Sequence, residues 1–170
     1  MSSLRLKTLA IARLEVENKI REVGQNKGPR IAEYQKEGNT APGQPYCASF
    51  VNWCAAAAAK ILYGDKNKSP LEKVPNQAYV QSYVDHFRIR GKIIKDIRQV
   101  KPGMLFALYI PYKHRYGHIG LVDSILSVLD KEYKTAEGNT SDSGTDEGEG
   151  VMSLNRIQGV GTIFIDWSGD

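Results

Sequence analysis

The run Cys47 to Ala59, CASFVNWCAAAAA, constrains the fold more than any other part of the chain. It has no charged residue, no Gly and no Pro. Its alanines favour a helix, and a helix apolar around most of its circumference has to be enclosed by the rest of the molecule. A membrane span needs roughly 20 apolar residues, more than this run supplies, and Asn52 sits inside it. The sequence therefore predicts a buried central helix over about 46 to 63, ended by Gly64-Asp65, and no membrane span.

The segments before and after it differ in period. Residues 4 to 22 contain no Gly or Pro and are rich in Leu, Ala, Glu, Lys and Arg, which predicts a helix with Leu6, Leu9, Ala10 and Val16 inward. A short helix is expected over 30 to 36 with Ile31 and Tyr34 inward. A further helix is expected after Asn76, which can cap it, with Tyr79, Val80, Tyr83, Val84 and Phe87 forming its apolar stripe. From residue 92 onward strand patterns take over: KIIKDI, the run Met104 to Ile110, HIGLVDSILSVL, EYKTAEGN, VMSLNRI and GTIFIDW. Helices followed by strands predict an α+β domain, N-terminal helices packed on a mostly antiparallel sheet, with all 170 residues in one domain.

Residues 1 to 120 hold 20 Lys/Arg against 9 Asp/Glu, and residues 121 to 170 hold 3 against 10. The basic part favours an anionic partner, but the cations are dispersed and no nucleic-acid motif accompanies them, so nucleic acid is not expected. The N-terminus lacks the charged cap and apolar stretch of a signal peptide. Cys47 and Cys54, seven apart on one helix, lie about 10 Å apart, too far for a disulfide. No histidine stands in a metal-binding spacing, so no metal or cofactor is expected. The acidic segment SDSGTDEGEG offers Asp142, Asp146 and Glu147 as calcium donors but lacks the EF-hand order, and reads as a solvated loop beside the site.

Pro45 suits the first turn of a helix and would carry Cys47 into that turn, where free amides and the helix dipole favour a thiolate and can hold an oxyanion. Cys54, deeper among alanines, packs. A thiol nucleophile needs a base, and His118 in YGHIGLV is better placed than His86, which sits within a helix. The following strand supplies Glu137 and Asn139 on one face, either able to orient the imidazole. A simple hairpin that brings His118 opposite Glu137 would turn between Ser127 and Val128, whereas Asp130-Lys131 is the better turn; a bulge or a longer loop would reconcile them. His114 in the loop PYKHRYG, with Tyr46 and Tyr116, is expected to touch substrate.

GPRIAEYQ, PYCASFVNWC, GHIGLV and TAEGNTS, in that order, resemble the cysteine, histidine-dependent amidohydrolase/peptidase (CHAP) domains of phage endolysins and bacterial wall hydrolases, within the papain-like, NlpC/P60-like group. The resemblance runs from about residue 11 to GTIFI. Tyr46 stands where such sequences often have Trp, and Met104 where an Asp is common. The resemblance implies Cys47 as nucleophile, His118 as base, and Glu137 with Asn139 as polar partners. It also implies peptidoglycan as substrate, cut as an amidase or an endopeptidase, by a monomer made in the cytoplasm. Such a protein reaches the wall through phage lysis, a tail or a secretion machine. A small-molecule amidase or acyltransferase, or a non-catalytic wall-associated module, are the competing readings.

Overall fold

A computed structural model describes residues 3–141 and 149–169. Asp142, Asp146 and Glu147, the donors considered for calcium, lie outside the described residues. Helices α1 (Leu4–Glu17), α2 (Pro29–Glu37), α3 (Cys47–Tyr63) and α4 (Val80–Arg88) come first. Strands β1 (Ile93–Ile94), β2 (Leu105–Ile110), β3 (Arg115–Ser127), β4 (Glu132–Thr140), β5 (Gly150–Met152), β6 (Asn155–Ile157) and β7 (Thr162–Ile165) follow. They form one sheet in the order β1-β7-β2-β3-β4-β5, with β6 also on β4, and every pairing is antiparallel. The fold is α+β.

The uncharged run forms α3, enclosed as its composition requires. It packs on α1 and α2 and also on β3 and β4. Phe50, Val51, Cys54, Ala55, Ala58 and Ala59 are inaccessible to solvent. Each fully buried large apolar side chain contributes about 1.5–3 kcal/mol. Sheet and helix approach so closely that a Cβ on Gly138 of β4 would come 2.6 Å from Phe50 Cβ. A second, smaller core, built on Phe106, Val122, Tyr133 and Phe164, forms a separate cluster. Among the described residues, no helix is long and apolar enough to cross a membrane.

Three local expectations need correction. Helix α1 stops at Glu17, because Asn18 caps it and Lys19 takes a left-handed conformation (φ 51°). The chain then runs along β5, with Val151 N donating to Ile20 O and Glu22 N to Glu149 O. The helix is also rotated from the expected face: Leu6 and Ala10 are exposed, while Thr8, Leu9, Ala12 and Glu15 are buried. Buried Glu15 sets that rotation, accepting two 2.8 Å hydrogen bonds from Arg30 and a further one from the Tyr34 hydroxyl. In front of α4, Asn76 accepts from Ala78 N in the preceding turn, and Tyr79 holds the cap position. Tyr79 therefore leaves the buried stripe of Val80, Tyr83, Val84 and Phe87 and is 39% exposed.

The hairpin question has a definite answer. The turn occupies residues 128–131 with Lys131 left-handed (φ 57°), as the Asp130-Lys131 reading requires. Register shifts between Val122 and Ser124 and between Ile125 and Ser127 take up the difference, leaving Leu121 opposite Ala136. Bulges of this kind bend a strand and re-aim its side chains, here just below His118 and Glu137.

Candidate active site

Cys47 is the first residue of α3, two positions nearer the helix end than a Pro45 start would place it. Tyr46, at the cap, has φ −129° and ψ 15° and provides no side-chain cap. The first-turn amides thus lack the side-chain acceptor most helices supply, and they carry the positive end of the helix dipole. The thiol is 5% exposed and lines a cleft of about 330 Å³ whose rim includes exposed Gln44, Pro45, Asn76 and Tyr79. Cys54, by contrast, is wholly buried, and burial pushes its thiol well up.

His118 lies on β3, 1% exposed, with Nε2 2.6 Å from Glu137 Oε2. Of the two candidate partners on β4, Glu137 is the one that holds the ring. The imidazole is tilted against Phe106, ring centres 6.0 Å apart. Gly120 makes the approach possible: a Cβ there would fall 2.7 Å from the Phe106 ring and 3.0 Å from Glu137 Cγ. With Nε2 occupied, Nδ1 is the ring nitrogen left for Cys47, and it has no hydrogen-bond partner among the described residues. The interaction between the thiol and the ring helps to set the His118 charge.

Glu137 is fully buried and remains ionised through its neighbours. Arg156 Nε and Nη2 donate to its two oxygens at 2.5 and 2.6 Å, and Thr135 Oγ1 donates at 2.5 Å. Burial alone would raise its pKa; the hydrogen bonds from Arg156 and His118 and their positive charges outweigh burial and lower it to about 2. Burial likewise opposes charge on His118. The neighbouring Cys47 thiol, the hydrogen bond with Glu137 and the Glu137 charge overcome it and raise the imidazole to about 9. The arrangement is thus a sulfur at a helix mouth, an imidazole that holds a proton at neutral pH, and a carboxylate clamped behind it.

Arg156 and Thr135 were not legible as site residues. Arg156 stands alone in VMSLNRI, and only the pairing of β6 with β4 brings it to Glu137. Asn139, the other candidate, is left-handed (φ 55°) beside a register shift, and its backbone N–H donates to the Tyr46 hydroxyl.

The three residues expected to touch substrate do not line the cleft. Tyr46 is fully buried, its hydroxyl 3.2 Å from Glu22 Oε1, so its ring supports Cys47 from behind. His114 is exposed and left-handed (φ 51°), outside the cleft. Tyr116 is half-buried against Tyr109, and its backbone N–H donates to Gln81. Beside Tyr116 the register shifts between Leu108 and Tyr109, which pair with His118 and Tyr116 and leave Gly117 without a partner. Arg115, Lys113 and Tyr79 form the wall instead.

No protein-family model, curated protein or solved structure matches the chain. Among the described residues, no three His, Cys, Asp or Glu side chains gather in a group able to hold a metal ion.

Proposed function

We propose that the protein is a cysteine hydrolase that cleaves amide bonds of bacterial peptidoglycan through a thioacyl intermediate on Cys47. One observation carries the reading: Cys47 begins a helix beside an imidazole whose far nitrogen is fixed by a buried carboxylate. That is the nucleophile, base and orienting-group logic of acyl transfer.

In the proposed cycle the resting site is an ion pair, the Cys47 proton already on His118 Nδ1, and the thiolate attacks the amide carbon. The carbonyl π pair moves onto oxygen, where the Cys47 amide and the helix end stabilise it. Collapse re-forms the carbonyl and expels the amine, which receives the proton from Nδ1. Water then attacks the thioester, giving its proton to His118, and the acid product leaves as the sulfur is released. Proton transfer of this kind is worth roughly 10² to 10⁴ in rate. Glu137 keeps Nε2 protonated and the ring in place throughout.

The shape of the cleft favours a chain-like substrate over an enclosed small molecule. Asn76 and Tyr79 also line a neighbouring depression of about 590 Å³ along α4 that includes Ser82, His86 and Ile89. The bond cut lies either between glycan and stem peptide or within the peptides, and the enzyme meets the wall through lysis, a phage tail or a secretion machine. Digestion of purified peptidoglycan by wild type and Cys47→Ala, with mass spectrometry of the fragments, tests nucleophile and bond together. Equal digestion by both proteins refutes the assignment.

A further inference from the structure

Among the described residues, the cleft around Cys47 is lined by two cations, Lys113 and Arg115, and by no carboxylate. Arg115 is fixed: its guanidinium lies 4.8 Å from the centre of the Tyr79 ring, and Nη1 donates to Tyr116 O at 3.2 Å. No Asp or Glu among the described residues forms an ion pair with it. Arg156, the other arginine at the site, differs, since it is spent on Glu137. A guanidinium presents five donors in a planar fork that matches a carboxylate, and stacking on an aromatic ring orients that fork in advance.

We propose that Arg115, seated on Tyr79, forms an anion subsite that selects peptides carrying a free carboxylate next to the scissile amide. This rests on the hydrolase reading and narrows its substrate class. The carboxylate takes no part in the bond change; it anchors the peptide so that the amide reaches Cys47. Peptides whose carboxylates are blocked as carboxamides lose that anchor and are the poor substrates.

The test uses the peptide L-Ala-γ-D-Glu-L-Lys-D-Ala in four forms: free, amidated at the Glu α-carboxyl, amidated at the C-terminus, and doubly amidated. Wild type is expected to show kcat/KM about tenfold or more lower on the doubly amidated form, the scale of one charge-assisted hydrogen-bonded contact. The single amidation that reproduces the loss identifies the carboxylate bound. R115Q should lower kcat/KM on the free peptide by a similar factor and leave the doubly amidated peptide unchanged, with R115K, which keeps charge without the fork, in between. Equal rates of wild type on all four forms, or an equal loss by R115Q on free and doubly amidated peptides, would overturn the subsite.

Calorimetric titration of the Cys47→Ala protein with the free and doubly amidated peptides separates this inference from the reaction it rests on. About tenfold tighter binding of the free peptide supports the subsite even if wild type cuts neither, an outcome that would refute the hydrolase reading alone. Equal affinity, or binding of neither peptide, overturns the subsite.

Discussion

His118 Nε2 and Glu137 Oε2 lie 2.6 Å apart in a setting that excludes water, and Arg156 closes on the same carboxylate from the other side. The carboxylate therefore serves two cations at once. It draws a proton onto the imidazole and is itself kept ionised by the guanidinium. Replacing Glu137 by Gln removes the charge and offers the ring an ambiguous partner. We expect His118 to titrate well below 9 in Glu137→Gln by NMR, and turnover to fall by on the order of 10² or more. An unchanged His118 titration would refute the role given to Glu137.

Stability should depend on pH through the same pair. His118 is raised in the folded state, so its contribution is fully present below its unfolded pKa near 6.5 and is lost as pH rises through about 9. Glu137 is lowered, so its contribution is present above its unfolded value near 4.3 and is lost as pH falls toward about 2. Urea denaturation from pH 6 to pH 10 should show a loss on the order of 1–3 kcal/mol that His118→Gln removes. Equal slopes in the two proteins would contradict it.

The two thiols should separate by reactivity. Under native conditions iodoacetamide is expected to modify Cys47 in the cleft and to leave Cys54 unmodified, because Cys54 is inaccessible and its thiol is pushed up by burial. Peptide mapping should find one labelled site, and Cys47→Ala should take up no label until it unfolds. Rapid native labelling of Cys54 would contradict the packing of α3.

Gly120 should tolerate no side chain. A methyl group there meets the Phe106 ring at 2.7 Å and Glu137 Cγ at 3.0 Å, so Gly120→Ala is expected to cost about 1–3 kcal/mol in thermal unfolding. It should also displace Glu137, so that the folded variant loses the raised His118 titration. A variant with both properties of the wild type would show that the close approach is not required.

Glu15 offers a structural contrast. It is 3% exposed and holds Arg30 and Tyr34 between α1 and α2, away from the cleft. Glu15→Ala should destabilise by roughly 2 kcal/mol, an estimate reduced because Arg30 is one-third exposed, and should leave the proposed peptidoglycan digestion by the folded protein unchanged. A loss of activity without a loss of stability would run against that assignment.

What the sequence determined by itself was local. The uncharged alanine run required a central helix, periodicity marked the change from helices to strands, and Pro45 put a thiol in the first turn of a helix. These depend on neighbours within a few residues, so the chain reveals them. The tertiary structure decided which residues meet. Two register shifts in β3 brought His118 to Glu137, the pairing of β6 with β4 delivered Arg156, and Arg115 rather than Tyr116 lines the cleft beside the shift at Gly117. A one-residue slip reverses the face on which every later side chain stands, and such slips arise from packing between distant segments that no local pattern encodes.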